Sequence, residues 1–448
     1  MAVLLDPLFR SDAMREIFSD RGRLQGMLDF EAALARAEAA VGLIPVDAAR
    51  IIGQQCRANR FDMSALAKAA ALAGNPAIPT VKALTLLVAK QDRAAAGHVH
   101  LGATSQDAMD TGLVLQLRDA LEAIEFDTQR LADALAKLAR KHATTPVAGR
   151  TWLQQAVPVT LGLKAATALS AVGRHRERLR ELRARVLVIQ FGGAAGTLAS
   201  LGTRGLEVSK ALARETGLTE ADLPWHAHRD RVAEVATVLG LLTGTLGKIA
   251  RDIALLMQTE VAEAFEPAVA GKGGSSTMPH KRNPVAAAVV IAAATRVPAL
   301  VSTMLSAMLQ EHERGLGNWH AEWETLPEIC MLCSGALGHL VQAVKGLEVD
   351  AGRARKNLDA TGGLLLAEAV VSALVPKIGR DAAHALLEDA SRRAVERKKP
   401  LFEILEKDRK VRAHLPASRL KALLDPSRYL GVADRFVDRA LAARAKKK

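Results

Sequence analysis

Long amphipathic repeats dominate the middle of the chain. Between residues 232 and 256 apolar side chains recur every three or four positions, at Val232, Val235, Val238, Leu239, Leu242, Leu246, Ile249, Ile253 and Leu256. Residues 113–141 repeat the pattern, with Leu113, Leu117, Leu121 and Ile124 on one face. This spacing places side chains on one face of an α-helix. The pattern therefore predicts a bundle of long helices that pack lengthwise and contact other subunits.

Shorter helical patterns flank this region on both sides. Glycine and proline residues separate them, at Gly42, Pro45, the turn Gly74-Asn75-Pro76, Gly97, Gly362-Gly363, Gly379 and Pro400. Such residues interrupt regular elements. We therefore predict three helical domains, at residues 1–111, 112–355 and 356–448.

The composition agrees with an all-α fold. Hydrophobic residues make up 49% of the chain and aromatic residues only 3%, and the abundant alanine and leucine favour helices. Three cysteines do not suggest a disulfide framework. Cys330 and Cys333 lie within a helical apolar pattern, which predicts that they pack in the core.

The apolar runs and the N-terminus indicate where the protein acts. The run near residue 290 contains Arg296 and Pro298, and the run near residue 245 contains three charged residues. We therefore expect neither to reach the length of a membrane span. Residues 1–6 lack a basic segment followed by an apolar core, so they do not resemble a signal peptide. The sequence predicts a cytoplasmic protein without a membrane partner.

The net charge of +13 narrows the possible ligands. Basic residues are mostly interspersed with acidic ones, as in residues 174–185. Proteins that bind nucleic acids usually show a concentrated basic stripe, often with aromatic side chains that stack on bases. A small polyanionic substrate fits this charge pattern better than a nucleic acid.

Residues 273–284, with the sequence GGSSTMPHKRNP, form the densest group of polar donors. The glycines allow the backbone to approach a ligand closely. Asn283 is a favourable N-cap and Pro284 suits the first position of the apolar helix that follows. Because a helix N-terminus favours anions, the segment predicts an anion site, although an ordinary surface loop is the alternative.

This segment resembles the G-S-S-x-M-P-x-K-x-N-P signature of the fumarase/aspartase superfamily. The resemblance implies that Ser275 is the catalytic base, which removes a proton next to a substrate carboxylate. It also implies that Ser276, Lys281 and Asn283 bind the substrate. A serine hydroxyl ionises at neutral pH only with strong help, for which Lys281 and the helix N-terminus are candidates.

A second block spans residues 97–107, GHVHLGATSQD. Thr104, Ser105 and Asp107 are good helix-capping residues, which is one interpretation. The block also resembles the H-x-G-x-T-S-x-D segment of the superfamily, which implies that His100, Thr104 and Ser105 bind a substrate carboxylate. Neither this pair of histidines nor the His226-Ala227-His228 segment has further ligands at a familiar metal-site spacing. We predict no metal and no cofactor.

A third block, residues 149–158, departs from the best-known relatives. In adenylosuccinate and argininosuccinate lyases a histidine follows the threonine and helps to protonate the departing nitrogen, whereas here Trp152 follows Thr151. An amine leaves poorly without a general acid, but a carboxylate is already a stable leaving group. Trp152 is therefore a candidate for specificity, and Thr151 and Gln155 are candidates for substrate binding.

A fourth block, residues 310–324, begins like the H-E-R segment of adenylosuccinate lyase and then diverges. It supplies Arg314 as a candidate substrate-binding residue. The serine-rich continuation that serves the nucleotide phosphate in those lyases is absent, and Trp319, His320 and Trp323 stand there instead. Trp319 and His320 are candidates for specificity. Core packing is the alternative for the tryptophans.

Taken together, the blocks resemble bacterial cycloisomerases of this superfamily that act on carboxylated muconates in protocatechuate breakdown through the β-ketoadipate pathway. The resemblance implies that a substrate carboxylate adds to a double bond and closes a lactone, with Ser275 donating the proton. It also implies a fumarase/aspartase-like three-domain fold and a homotetramer whose active sites are shared between subunits.

Two other classes stay open at this point. One is a sister lyase such as adenylosuccinate lyase, against which Trp152 and the missing serine-rich segment count. The other is a non-catalytic structural protein on the same fold, as some crystallins are. The intact loop counts against that class.

Overall fold

A computed structural model describes residues 4–269, 271, 273–274, 277–278 and 280–445. Almost all regular structure in these residues is helical, and short 3₁₀ turns lie at Ala58–Arg60, Ala199–Arg204, Leu364–Leu366 and Pro426–Arg428. The helices are α1 Asp6–Phe9, α2 Asp12–Ile17, α3 Asp20–Ala40, α4 Val46–Gln55, α5 Met63–Ala73, α6 Ala77–Ala89, α7 Arg93–Ala96, α8 Ser105–Lys141, α9 Leu161–Val186, α10 Gly205–Thr216, α11 Asp230–Leu256, α12 Val285–Ser306, α13 Asn318–Lys345, α14 Ala351–Asp359, α15 Ala367–Ile378, α16 Arg380–Glu396, α17 Leu401–Lys407, α18 Arg409–Arg412, α19 Ala417–Leu423 and α20 Ala433–Ala445.

Two small antiparallel ladders accompany the helices. Strands β1 (Pro146–Thr151) and β2 (Gln154–Thr160) form a hairpin, in which Thr151 pairs with Gln154 and Pro146 with Thr160. Strands β3 (Ala264–Phe265) and β4 (Glu348–Val349) pair over two residues each. The prediction of an all-α fold class is confirmed, and these ladders are a minor addition to it.

The long helices follow the predicted repeats closely. Helix α8 has 37 residues and begins at Ser105, eight residues before the predicted start. Helix α11 spans 27 residues, and its repeat residues Leu239, Leu242 and Leu246 are fully buried. Cys330 and Cys333 are also fully buried, in α13, so the prediction that they pack in the core is confirmed.

The chain divides into two compact units, each assembled from separate segments. The first comprises residues 1–129, 174–247 and 289–338, and the second comprises residues 130–173, 248–288 and 339–448. The three-domain division made from the sequence stays a prediction.

In the first unit a pair of glycines lets α3 and α8 approach each other closely. A Cβ on Gly26 would lie 2.7 Å from the carbonyl oxygen of Gly112, and one on Gly112 would lie 2.9 Å from the carbonyl carbon of Gly26. Such distances leave no room for any side chain. This close approach fixes α3, which carries Glu31, against the start of α8, where the Thr104–Ser105 block lies.

The second unit holds the hairpin and the C-terminal helices. Helices α15 to α19 surround a core in which Val370, Leu374, Leu387 and Leu401 are almost completely buried. The hairpin packs against α14, and Val147 of β1 and Ala354 of α14 share a small apolar cluster. The hairpin therefore has an apolar support within its own unit.

Two helices are longer and more apolar than the sequence argument allowed. Helices α11 and α12 each have the length and composition that could cross a membrane. The prediction that these apolar runs fall short of a membrane span was wrong, because α12 continues through Pro298 and α11 through Lys248. Val290, Ala293 and Val297 of α12 are nevertheless buried inside the protein. That the protein has no membrane partner stays a prediction.

Candidate active site

The Thr104–Ser105 block forms the N-terminus of α8, as the capping interpretation predicted. The Thr104 N–H donates to Asp107 Oδ2 at 3.0 Å, and the Asp107 N–H donates to the Thr104 carbonyl at 3.0 Å. The Thr104 hydroxyl points elsewhere, because Arg314 Nη1 donates to its Oγ1 at 3.1 Å. Arg314 Nη2 also donates to the Ala194 carbonyl at 3.0 Å. Thr104 and Arg314, which are 210 positions apart in the sequence, are thus brought together.

The buried side chain of Asp107 fixes the position of the Thr104–Ser105 block through hydrogen bonds. Its side chain is fully buried, and Oδ1 lies 2.7 Å from His226 Nε2 and accepts hydrogen bonds from Gln190 Nε2 and the Gly192 N–H at 3.1 Å. Oδ2 accepts a further hydrogen bond from the Gly193 N–H at 2.9 Å. Because its acceptor positions are filled by the protein, Asp107 is a structural residue of the site.

A buried ion cluster lies one helical turn further along α8. Arg229 donates to Asp110 at 2.7 and 3.0 Å and to Glu322 at 2.6 and 3.0 Å, and all three side chains are almost completely buried. Burial lowers the pKa of Arg229, but the two carboxylates outweigh that effect and raise it. For Glu322 burial dominates and raises the pKa in spite of Arg229. The sequence analysis did not predict this cluster, because nothing but the charged residue types pointed to it.

Trp319 belongs to this cluster. Its side chain is 4% exposed, its Nε1 donates to Asp110 Oδ1 at 3.3 Å, and its ring meets Trp323 edge-on at 4.9 Å. The core-packing alternative therefore describes Trp319 well. The neighbouring His320 is exposed, and its Nε2 lies 3.3 Å from the Gly74 carbonyl. Whether either residue determines specificity stays a prediction.

His100 is held by a buried carboxylate that the sequence analysis missed. His100 Nδ1 lies 2.6 Å from Glu31 Oε1, and the Glu31 side chain is 1% exposed. Burial lowers the pKa of His100, but the charge of Glu31, its hydrogen bond and the charge of Asp107 together raise it above its usual value. Only the position of Glu31 within the apolar pattern of α3 hinted at this role.

In the second unit the tip of the hairpin presents the third block to solvent. Trp152 and Leu153 have φ angles of 53° and 64°, which is typical of the two-residue turn that joins tightly paired strands. Trp152 is 97% exposed and Thr151 is also exposed. Gln155, beside them on β2, is half-buried, and its Oε1 has no hydrogen-bond partner in the part of the chain that the structure describes.

An ion pair anchors the base of the same hairpin. Arg150 donates to both oxygens of Glu263, at 2.6 and 2.9 Å, and Asn357 Nδ2 donates to Glu263 Oε1 at 2.8 Å. The Glu263 side chain is almost fully buried. This bidentate geometry fixes the direction of the hairpin at its base.

Most of the described residues of the signature segment lie at the surface of the second unit. The Asn283 N–H donates to the Gly273 carbonyl at 2.9 Å, which closes the loop, and the Lys281 N–H donates to the Met278 carbonyl at 3.0 Å. Lys281 is exposed and Asn283 is half-buried. Ser275 and Ser276, the predicted catalytic and binding serines, lie outside the described residues.

The helix after this loop begins differently from the prediction. Helix α12 starts at Val285, one residue later than expected, and the first backbone acceptor is the Pro284 carbonyl. The Ala286 and Ala287 N–H groups donate to the buried carboxylate of Glu266 at 3.0 and 2.8 Å. The expectation that this N-terminus is open to an anionic ligand was therefore wrong for these two donors, because Glu266 already occupies them.

The candidate residues thus fall into two sets, each described within its own unit. The first unit brings together His100, Thr104, Ser105 and Arg314, with Trp319 and His320 on the following helix. The second unit carries Thr151, Trp152, Gln155, Lys281 and Asn283. Among the described residues no group of three or more histidine, cysteine, aspartate or glutamate side chains has the arrangement of a metal site.

Comparison with known proteins identifies the family. A sequence model described as "Lyase" matches residues 9–299, and one described as "Adenylosuccinate lyase C-terminus" matches residues 363–440. The 3-carboxy-cis,cis-muconate cycloisomerase of Pseudomonas aeruginosa is 61% identical over 98% of this chain and 96% of its own length. The enzyme of the same name from Pseudomonas putida is 60% identical over 93% of this chain and 99% of its own length.

A solved structure agrees with these sequence relatives. The crystal structure of 3-carboxy-cis,cis-muconate lactonizing enzyme from Pseudomonas putida has a TM-score of 0.96 and 58% identity, and the match covers 99% of each chain. The resemblance inferred from the sequence motifs is thereby confirmed. The chain belongs to the lyase family of the fumarase/aspartase superfamily, in the group of the 3-carboxy-cis,cis-muconate cycloisomerases.

Proposed function

We propose that this protein converts 3-carboxy-cis,cis-muconate to 4-carboxymuconolactone in protocatechuate degradation. A carboxylate oxygen of the substrate adds to a carbon–carbon double bond and closes the lactone ring. The neighbouring carbon becomes a carboxylate-stabilised carbanion, which then takes up a proton. The observation that carries the proposal is the 61% identity, over nearly the full length of both chains, to a protein of that name.

The proposal gives each candidate residue a role. Ser275 donates the proton to the carbanion, and the reverse reaction uses it as the base. The carboxylates of the substrate are held by His100, Thr104, Ser105, Thr151, Gln155, Ser276, Lys281, Asn283 and Arg314. The contact between Arg314 and the Thr104 hydroxyl supports this assignment, because it aims a cation and a hydroxyl at one place. A net charge of +13 suits a trianionic substrate.

Trp152 supports a lactonising reaction over an amine-releasing one. It stands at the hairpin tip, where a lyase that releases an amine needs a general acid. Its 97% exposure in the single chain leaves the indole available to contact a ligand or another subunit. We propose that Trp152, Trp319 and His320 shape the site for the muconate skeleton, Trp319 through its packing beneath the site.

We further propose that the enzyme is a cytoplasmic homotetramer with shared active sites. The blocks near residues 100, 151 and 275 must all reach one substrate. In this proposal each block of a given site comes from a different subunit, and the three domains at residues 1–111, 112–355 and 356–448 serve this assembly. The long apolar helices, which are typical of bundles that pack lengthwise, support it.

An ultraviolet assay tests the reaction directly. We expect the purified protein to remove the conjugated-diene absorbance of 3-carboxy-cis,cis-muconate, with the same rate after treatment with a chelator. Adenylosuccinate should be tested in parallel, because the C-terminal family match carries the name of that lyase. Turnover of adenylosuccinate alone would select the sister lyase, and inactivity toward both substrates would favour a structural protein.

A single substitution tests the role of Ser275. Removal of a positioned proton donor typically lowers a rate by about 10²–10⁴-fold. We expect Ser275→Ala to lose that much in kcat while the protein folds and assembles normally. Ser64→Ala is the matched control, because Ser64 is an exposed serine on α5. Near-native activity of Ser275→Ala would move the proton donor elsewhere, with His320 as the next candidate.

Mixed oligomers test the shared site. Ser275→Ala subunits and subunits with Thr104→Ala and Ser105→Ala should each be inactive. After mixing and reassembly, random assortment leaves roughly a quarter of sites with both blocks native, because closed symmetry repeats the same interfaces. Up to about a quarter of wild-type activity should return. Mixed oligomers that stay inactive after verified subunit exchange contradict the shared site.

A further inference from the structure

Helix α3 carries two buried carboxyl groups that its packing does not explain. Glu31 is 2% exposed and Glu38 is fully buried. Within the described residues, Glu31 Oε2 and both oxygens of Glu38 have no hydrogen-bond partner. Buried polar atoms are nearly always satisfied, so unsatisfied acceptors of this kind call for an explanation. Since the residues lie two turns apart, both belong to one face of α3.

The contact between Glu31 and His100 defines the state of the imidazole. The distance of 2.6 Å between Glu31 Oε1 and His100 Nδ1 is short, which favours a charge-assisted hydrogen bond over a neutral one. An ionised carboxylate only accepts, so Nδ1 carries the proton. Nε2 is then the nitrogen of His100 that remains for a ligand, and it has no partner among the described residues.

The backbone holds His100 in place for this contact. Its φ angle is 60°, a region that residues other than glycine seldom adopt. Two residues later Gly102 has a φ of 73°, and a Cβ there would lie 2.5 Å from Leu201 Cγ. The loop is therefore tightly packed just after His100, and backbone strain of this kind concentrates at functional sites.

Two carboxylates, from different helices, act on the pKa of His100 through their charges. Glu31 faces it from α3 and Asp107 faces it from the start of α8, where Asp107 is itself engaged by His226. Burial, followed by the charge of Glu31, raises the pKa of Glu38 to about 9, so Glu38 is neutral at physiological pH. Glu31 is consequently the group on α3 whose negative charge acts on the imidazole.

We infer that Glu31 is a positioning residue for the reaction. It holds His100 by Nδ1, so that the charged imidazole presents its Nε2–H as a donor to a substrate carboxylate. This inference rests on the proposed function, because it deepens the role of His100 there. Glu31 does not touch the substrate; it acts through His100. A neutral imidazole with its proton on Nδ1 would instead present a lone pair to the carboxylate and repel it.

The state of His100 can be measured without any substrate. Histidine labelled with ¹³C and titrated by NMR should show the His100 signal, identified by its loss in His100→Gln, with a pKa above the usual 6.5. Glu31→Gln should lower that pKa by about one unit or more, and Glu31→Asp should restore most of it. A wild-type His100 that titrates at or below 6.5 overturns the inference even where Glu31→Gln fails to fold.

Steady-state kinetics supply the functional readout. At pH 7.5 Glu31→Gln should raise KM for the carboxymuconate by up to about tenfold and leave kcat within about threefold, because a one-unit fall in the pKa of His100 lowers its charged fraction by at most about tenfold. The rise of KM with pH should begin at lower pH than in the wild type. In a His100→Gln background, Glu31→Gln should add almost nothing, as expected for two residues that act as a unit. Additive effects in that cycle contradict the inference.

Glu38→Gln is the matched control, since it changes a neighbouring buried carboxyl that is already neutral. Its KM profile between pH 6 and 8 should follow the wild type. The NMR titration also separates the two levels of the argument. A raised His100 pKa in a protein that does not turn over carboxymuconate contradicts the proposed function alone, whereas an unshifted pKa in an active enzyme contradicts only the role of Glu31.

Discussion

Replacement of Arg229 by methionine should destabilise the protein strongly and in a pH-dependent way. The guanidinium is 1% exposed and donates to both Asp110 and Glu322, whose side chains are 3% and 2% exposed. Methionine fills a similar volume but satisfies neither carboxylate. Two negative charges would then face each other without a counterion in a site that water does not reach.

The expected magnitude follows from that burial. Removal of one partner of a buried ion pair typically costs about 3–5 kcal/mol, because the remaining charge stays desolvated. The entropy of unfolding is about 2.1 cal/mol/K per residue, so a cooperative chain of 448 residues loses about 1 °C of Tm for each kcal/mol. We therefore expect Arg229→Met to lower Tm by about 3–5 °C at pH 8.

The loss should shrink as the solution is acidified. Burial already raises the pKa of Glu322 in the folded protein, and removal of Arg229 raises it further. A carboxyl group whose pKa is higher in the folded state than in the unfolded state destabilises the fold as pH rises through that interval. Protonation at pH 5 should therefore remove part of the penalty that is present at pH 8.

Differential scanning fluorimetry at both pH values and at one fixed protein concentration measures this effect. Arg185→Met is the control, because Arg185 makes an equally close pair with Glu234 at the exposed surface, where ion pairs contribute little. Adding Asp110→Asn and Glu322→Gln to Arg229→Met should recover part of the stability. An unchanged Tm for Arg229→Met at pH 8, or a loss that grows on acidification, would refute the reasoning.

Three further predictions concern other buried groups. Glu38→Gln should become progressively more stable than the wild type between pH 5 and pH 9, because the raised pKa of Glu38, about 9, makes the wild type lose stability over that range; Tm measured across the range checks this. Gly102→Ala should lower Tm and raise KM more than Gly42→Ala. Both glycines have a positive φ, but only a Cβ added at Gly102 would clash with Leu201, so equal losses in the two variants would contradict that packing. Cys56, Cys330 and Cys333 are buried and burial raises the pKa of each thiol, so a thiol reagent such as DTNB should label none of them at pH 8 until the protein unfolds.

The regular part of the fold could be predicted from the sequence because it is repetitive. The repeats of α8 and α11 extend over many turns, and packing along a bundle demands the same spacing throughout. The start of α8 at Ser105 was missed, because its first two turns bury polar residues such as Asp107 and Asp110. The spacing of apolar residues alone therefore placed the start of α8 too late in the sequence.

The hairpin was missed for a different reason. Its strands have only six and seven residues, and its turn uses Trp152 and Leu153, although glycine or asparagine usually marks a positive φ. No turn signal was present in the sequence. Alternation of Val157 and Val159 in β2 was the remaining sign, and it is too short to separate a strand from a buried helix.

The candidate site was predicted in its exposed residues and missed in its supporting ones. Motifs identified Thr104, which the structure joins to Arg314. Glu31 and Glu266 lie outside every motif, and their roles depend on contacts 69 and 20 residues away along the chain. A single sequence does not show which distant donor a carboxylate will meet, so such partners appear only in three dimensions.

The exposed tip of the hairpin has a consequence for how this enzyme can change over evolutionary time. Trp152 is 97% exposed, while the base of its hairpin is held separately by Arg150 and Glu263. A mutation at the tip removes little packing from the folded chain, so a new side chain can be tried there at small risk to folding. The folding of the single chain therefore constrains residue 152 little, and if Trp152 has its proposed role, a library of substitutions there should change substrate preference with little loss of folded protein.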